Sequence, residues 1–286
     1  MTHVEDFERE RAYLEQLAYR LLGSLADAED AVQETFLRWR RGGEPALDEP
    51  RAWFTRTCTR LCLDRLKSAQ RVREQYPGEW FPEPWLGGAE EDRSELDESL
   101  SLALLSTIER LKPAERAAFL LHDVFSYSFA EVAEILELEV SHCRQLASRA
   151  RRHLDAGVVR SDADPQTVER LNRAFFGAIE SGDLEALSAV LAEDVVFRSD
   201  GGGKAPAALN PVAGIDKVLR LLKGVFLDAD PRPDVRLRWP WFNGAPGVLL
   251  VLEDRPETAF QFQVRGGRIA AIYAHRNPDK LRHFGA

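Results

Sequence analysis

Cysteine is scarce: Cys58, Cys62 and Cys143 are the only three in 286 residues. So small and odd a number in a long chain excludes a disulfide-framed scaffold. Cys58 and Cys62 lie four residues apart and would share a helix face, but no second Cys/His pair at ligand spacing accompanies them. They read as small core residues, and no metal or other cofactor is expected. Long apolar runs are also missing, none approaching the roughly 20 residues a membrane helix needs. The opening residues MTHVEDFERERAY are charged where a signal peptide has an apolar centre, so a cytoplasmic protein with no membrane partner is expected. Positive charge is in deficit, 38 Lys and Arg against 47 Asp and Glu, for a formal net charge of −9. That total disfavours a uniformly basic nucleic-acid binder.

The charge is segregated, however. Between Arg51 and Arg73 stand Arg51, Arg56, Arg60, Arg65, Lys67, Arg71 and Arg73 against the single acid Asp64. A second basic cluster, Arg144, Arg149, Arg151 and Arg152, has no acid between Ser141 and Leu154, while acids gather in Glu90 to Glu98. Length and punctuation divide the chain into several domains. Residues 1–76 read as helix after helix, with Pro50 opening a helix from about Arg51 to Gln75. Residues 77–94, rich in Pro, Gly and acid, read as a linker, yet Trp80, Phe81 and Trp85 are costly to leave in water and are expected to dock on a neighbouring domain. Residues 95–157 return to helical periodicity. There Ser128 and Glu131 form a capping box, and Ser141 is expected to cap a basic helix, which makes a helix-turn-helix. Residues 165–286 change grammar to α+β, with helices near Thr167–Ser181, Leu184–Ala192 and Ile215–Phe226. Strands are expected near Val235–Trp239, Gly247–Leu252, Ala259–Val264 and Arg268–His275, in a curved antiparallel sheet. Phe260 to Val264 alternate apolar and amide side chains.

Three constellations carry chemistry. The first, DAEDAVQETFLRWRR from Asp27 to Arg41, has acids at its start and arginines at its end, as the helix macrodipole favours. The second, RAWFTRTCTRLCLDRLKSAQRVRE, supplies cations for phosphates, with Trp53 and Phe54 assigned to the core. The third is the helix-turn-helix itself. In order and spacing they resemble the extracytoplasmic-function (ECF) RNA polymerase sigma factors, in a group whose members carry a fused C-terminal SnoaL-like domain. Trp80-Phe81-Pro82-Glu83-Pro84, Asp200-Gly201-Gly202-Gly203-Lys204 and Asn277-Pro278-Asp279-Lys280-Leu281 carry that closer resemblance.

The resemblance implies a multidomain protein: two all-α sigma domains, a helical bundle and a helix-turn-helix, followed by an α+β SnoaL-like cone. It implies that Asp27, Asp30, Gln33, Glu34, Leu37 and Arg40 meet the clamp of the largest subunit of core RNA polymerase. Arg56, Arg60, Lys67, Arg71 and Arg73 would take the −10 element of promoter DNA, the family commonly having Asn where Arg60 stands. Ser141, His142, Arg144, Gln145 and Ser148 would read −35 base edges, with Arg149, Arg151 and Arg152 on phosphate. The three short words would make regulatory contacts between domains, the tail acting in cis on promoter-specific initiation. No catalytic residue is assigned. The alternative is a SnoaL-like enzyme or ligand-sensing domain on a DNA-binding module, with Asp200, Asp216, Asp254 and His275 as its acid/base candidates and an unidentified small molecule in the cone.

Overall fold

The computed structural model describes residues 3–42, 47, 49–86, 101–157, 161–228 and 234–285, with backbone alone at 3, 69–74 and 155–157. The end of the expected linker, the acidic run Glu90 to Glu98 and the side chains of Arg71 and Arg73 lie outside the described residues. Contacts divide the chain into two units, Met1–Gln75 with Leu105–Gly157, and Tyr76–Leu104 with Val158–Ala286.

The first unit is helical: α1 (His3–Leu22), α2 (Leu25–Arg41), α3 (Pro50–Glu74), the end of α4 (Leu102–Ile108), α5 (Pro113–Phe119), α6 (Phe129–Leu136) and α7 (Val140–Gly157). Ser24 caps α2 by accepting the Asp27 N–H. Pro50 and Pro113 stand at the first positions of α3 and α5, where a missing N–H costs nothing. Phe7, Phe36, Trp39 and Phe54 interlock at ring separations of 4.7 to 5.7 Å, tying α1, α2 and α3 together. Cys58 and Cys62 are buried, and burial pushes the Cys62 thiol well up. The Ser128–Glu131 capping box opens α6. Glu137 ends it in the left-handed region at φ 55°, and this tight reversal starts α7 early. The Glu139 carbonyl accepts the N–H groups of His142 and Cys143, so Ser141 sits inside the first turn of α7 and not at its cap, as the sequence suggested.

One charged side chain in this core has no signature in the sequence. Arg116, 1% exposed, donates to the Ile108 carbonyl at 3.0 Å and the Leu21 carbonyl at 2.6 Å. It also pairs with Glu109 at 2.7 Å, so its buried charge is matched while it joins the end of α1 to the corner before α5.

The second unit is α+β. Helices α8 (Pro165–Ser181), α9 (Leu184–Val190) and α10 (Ile215–Leu222) precede or interrupt the strands β1 (Leu191–Asp200), β2 (Val212–Ala213), β3 (Val235–Arg238), β4 (Trp241–Phe242), β5 (Ala245–Leu252), β6 (Arg255–Arg265) and β7 (Arg268–His275). The sheet runs β2-β1-β7-β6-β5-β3, with β4 on β5. It is antiparallel except for the parallel β1–β7 pair, and register shifts in β1, β5 and β6 mark the irregularities that curve such a sheet.

One face of the sheet, with Val248, Leu250, Phe260, Phe262 and Ile272, packs on the helices. Alternate residues point the other way. Leu249, Val251 and Ala259 meet Phe242, Leu281 and Phe284, while Ala271 and Tyr273 meet Phe81, Leu102 and Ala103. Both faces are therefore covered, which explains the nearly unbroken burial of β5, β6 and β7. The amide face foreseen for β6 is buried too: Gln261 is 3% exposed and donates to the Phe242 carbonyl.

Candidate nucleic-acid interface

The face of α7 is set by helical periodicity. Cys143, Leu146, Ala147, Ala150 and Leu154 point into the core. Ser141, His142, Arg144, Gln145, Ser148, Arg149 and Arg152 are exposed on the remaining surface. Arg151 turns back to Asp123 at 2.7 Å. Arg144 lies 5.8 Å from the Phe129 ring centroid, which steadies a long side chain in a position open to solvent. Short polar groups near the start of the helix and arginines further along suit base edges and phosphates respectively.

The cations of α3 are placed differently. Arg56 donates to the Glu134 carbonyl at 2.8 and 3.2 Å, and Arg60 to the Ile135 carbonyl at 3.4 Å. Arg60 is also ion-paired with Glu137. Both guanidinium groups thus sit at the carbonyl end of α6, where the helix dipole is negative. Next to them the Tyr127 hydroxyl lies 2.9 Å from that of Tyr13 and 3.0 Å from that of Thr55. Lys67 remains exposed and pairs with Asp64 one turn away.

On α2, Asp27, Asp30, Gln33 and Arg40 are exposed, with Glu34 and Leu37 half-buried beside them. Arg65 from α3 donates to the Asp27 carbonyl at 3.0 Å and lies 3.6 Å from the Asp30 carboxylate. Glu34 holds Arg38 at 3.2 Å. Exposed pairs of this kind contribute about 0 to 1 kcal/mol, so this polar face is readily surrendered to a partner.

In the second unit the three short words meet around one carboxylate. Asp200, 1% exposed, accepts from the Tyr76 hydroxyl at 2.6 Å, the Phe81 N–H at 2.9 Å, the Gly202 N–H at 3.1 Å and the Lys280 ammonium at 2.7 Å. Its backbone carbonyl takes the N–H groups of Arg276 and Asn277. Lys280, 5% exposed, also donates to the Phe81 carbonyl and lies 4.0 Å from the Trp80 ring centroid. Phe81, Pro82 and Pro84 are buried and Glu83 is half-buried.

Gly202 has φ 59°, and a Cβ there would overlap the Asn277 amide, which itself donates to Tyr76 at 2.9 Å. Gly201 is buried, whereas Gly203 and Pro278 are exposed. Lys204 pairs with Asp279, and Leu281 packs with Phe284. Further along, Trp85 and Asn243 exchange hydrogen bonds of 2.9 and 3.1 Å. Burial, then the bond to Asp200, pushes the Tyr76 phenol well above its ordinary range.

Two family models match the chain, Sigma-70 region 2 over residues 7–72 and Sigma-70 region 4 over residues 101–154. The ECF RNA polymerase sigma factor SigJ of Mycobacterium tuberculosis is 38% identical, across 97% of this chain and 93% of its own length. The chain belongs to the ECF RNA polymerase sigma factors. The probable ECF sigma factor SigI of M. tuberculosis is 39% identical across 95% of this chain and 92% of its own. The crystal structure of SigJ matches with a TM-score of 0.79 at 36% identity, over 98% of both chains. As a sigma factor, this protein directs transcription initiation by RNA polymerase.

Two of the sigma factor's four acid/base candidates meet: Asp200 and His275 are register partners across β1 and β7. Asp200 and His275 lie under the strap of residues 76–86, Asp254 is exposed and paired with Arg236, and Asp216 is exposed in the first turn of α10. His275 is fully buried between Phe81 and Phe242, and neither ring nitrogen has a hydrogen-bond partner among the described residues. Burial pushes its pKa down to about 3, with Asp200 opposing that shift and Lys280 adding to it. The folded sigma factor therefore keeps His275 neutral, while the unfolded chain protonates it below about pH 6.5.

Stability attributable to this residue is intact above pH 6.5. It falls by up to about 1.4 kcal/mol per pH unit as the pH drops from there toward 3. His275→Phe should remove that slope. Urea unfolding of both proteins at pH 7 and pH 5 checks it, and equal losses in the two would contradict it.

Proposed function

We propose that the exposed face of α2 seats on the clamp of the polymerase largest subunit, that the α3 cations take the −10 element, and that α7 reads the −35 element. The C-terminal cone with its strap acts in cis as regulator and performs no chemistry of its own, and the protein works in the cytoplasm. A closed state within the helical unit is supported by the engagement of Arg56 and Arg60 at the carbonyl end of α6. Cations reserved for phosphate are here occupied by the helix-turn-helix that must itself reach DNA. Promoter binding requires these contacts to open, so the helical unit as described is a closed form.

The closure is weak by design of its chemistry. Arg60 and Glu137 are 38% and 67% exposed, and such a pair holds by no more than about 1 kcal/mol. DNA phosphates, with full charges, displace it and shift a two-state population. Glu137→Gly suits the left-handed φ and removes the carboxylate; Tyr127→Phe removes the two hydroxyl contacts. The double variant should initiate about 3- to 10-fold more transcripts at subsaturating core polymerase, the worth of ~0.7–1.4 kcal/mol. Abortive-transcript counting measures this, and unchanged or reduced initiation would refute the closed-form reading.

A further inference from the structure

The helix-facing side of the sheet does not fill its cone. A cavity of about 540 Å³ lies between α8, α10 and the strands, within the range of small-molecule sites. Its walls are mostly apolar, with Phe197, Leu222, Phe226 and Phe260 prominent. Apolar volume left unfilled forfeits dispersion contacts on every wall, so its persistence beside a packed core calls for an occupant.

Polar groups lie at one side of it. Ser199 is satisfied by the Ala208 backbone, donating at 3.4 Å and accepting at 2.8 Å, and offers little to a ligand. Arg276 donates to the Pro206 carbonyl at 2.6 Å and to Glu257 at 3.1 Å, while its Nε–H is buried and has no partner among the described residues. The spare capacity is therefore that of a donor. Glu257 already neutralises the guanidinium, and Glu180 adds a second carboxylate to the lining, so an anion would be repelled.

We infer that the cone of this sigma factor is a binding site for a neutral, largely apolar molecule of roughly 15–20 non-hydrogen atoms bearing one acceptor oxygen, a ketone or similar carbonyl, directed at Arg276. The site shares no residue with those assigned to polymerase and DNA, and it stands or falls independently of the promoter-binding reading.

The probe is 6-propionyl-2-(dimethylamino)naphthalene, a neutral fluorophore of the stated size with a single carbonyl, titrated into the full-length protein. One site per chain with micromolar affinity and blue-shifted emission is expected, with 1-anilinonaphthalene-8-sulfonate, which is anionic, binding at least 10-fold more weakly. Val225, 41% exposed on the turn after α10, lines the cavity, so Val225→Trp fills it without disturbing the buried core. Ala208→Phe fills it from the opposite loop. Either variant, once shown folded by its circular dichroism, should weaken binding at least 10-fold, and Arg276→Gln should weaken it about 5-fold and shift the emission of the bound carbonyl. Absence of saturable binding, more than one site per chain, binding untouched by both filling variants, or preference for the anion would overturn the inference.

Discussion

Asp200→Ala should lower the unfolding free energy of the C-terminal unit by about 3–5 kcal/mol. The side chains of Asp200 and Lys280 are 0% and 6% exposed, so removing the carboxylate leaves an ammonium in a dry site. The Phe81 and Gly202 N–H groups and the Tyr76 hydroxyl lose their acceptor as well. Lys280→Met is the informative contrast, because three donors still hold Asp200 and the methionine keeps the apolar volume beside Trp80. Its cost should be smaller, about 1–3 kcal/mol. Urea unfolding followed through tryptophan emission, with Trp80 and Trp85 in the strap, measures both. A loss below 1 kcal/mol for Asp200→Ala would mean that the carboxylate does not organise the strap.

Leu37→Asp should weaken binding to core RNA polymerase by 30-fold or more, the scale of a hot-spot truncation of about 2 kcal/mol. Leu37 is the half-buried apolar residue on a face otherwise made of Asp30, Gln33, Glu34 and Arg40, so it is the side chain there with most to gain from a partner's pocket. The core of the helical unit rests on Phe7, Trp39 and Phe54, which the substitution does not touch. The fold should survive while affinity falls. Fluorescence anisotropy of the labelled sigma factor against core polymerase gives the number, and a loss under threefold would remove α2 from the interface.

Some of this was legible in sequence because the signals are local. The capping box at Ser128 and Glu131, the prolines opening α3 and α5, and the apolar spacing of α7 each act within one or two helical turns. The exposed residues of α7 follow from the same periodicity. The aromatic strap was legible as well, since Phe81 between prolines is too costly to leave wet.

What escaped is nonlocal. Parallel pairing of β1 with β7 depends on a partner at least 75 residues away, and alternation within a strand says nothing of its neighbour's direction. The amides of Gln261 and Gln263 look solvent-facing until β4, the strap and the C-terminal turn cover that side of the sheet. Arg116 satisfies itself on carbonyls of Leu21 and Ile108, and Arg56 and Arg60 on carbonyls of Glu134 and Ile135. Every residue carries such a carbonyl, so no pattern of side chains announces these bonds. The convergence of Trp80, Asp200 and Lys280, by contrast, was suggested by word resemblance alone, and its physical reason, one buried carboxylate with four donors, emerges only in three dimensions.

The central claim is that this chain directs RNA polymerase to promoters, and run-off transcription on a randomised promoter library with core polymerase lacking any other sigma factor tests it most directly. The full-length protein should yield transcripts from templates that share one −35 and one −10 element at fixed spacing, and Arg144→Ala should relax base preference at a −35 position by about 5- to 150-fold, the worth of one good base contact. No initiation above that of core polymerase alone, or transcripts without a shared element pair, would contradict it.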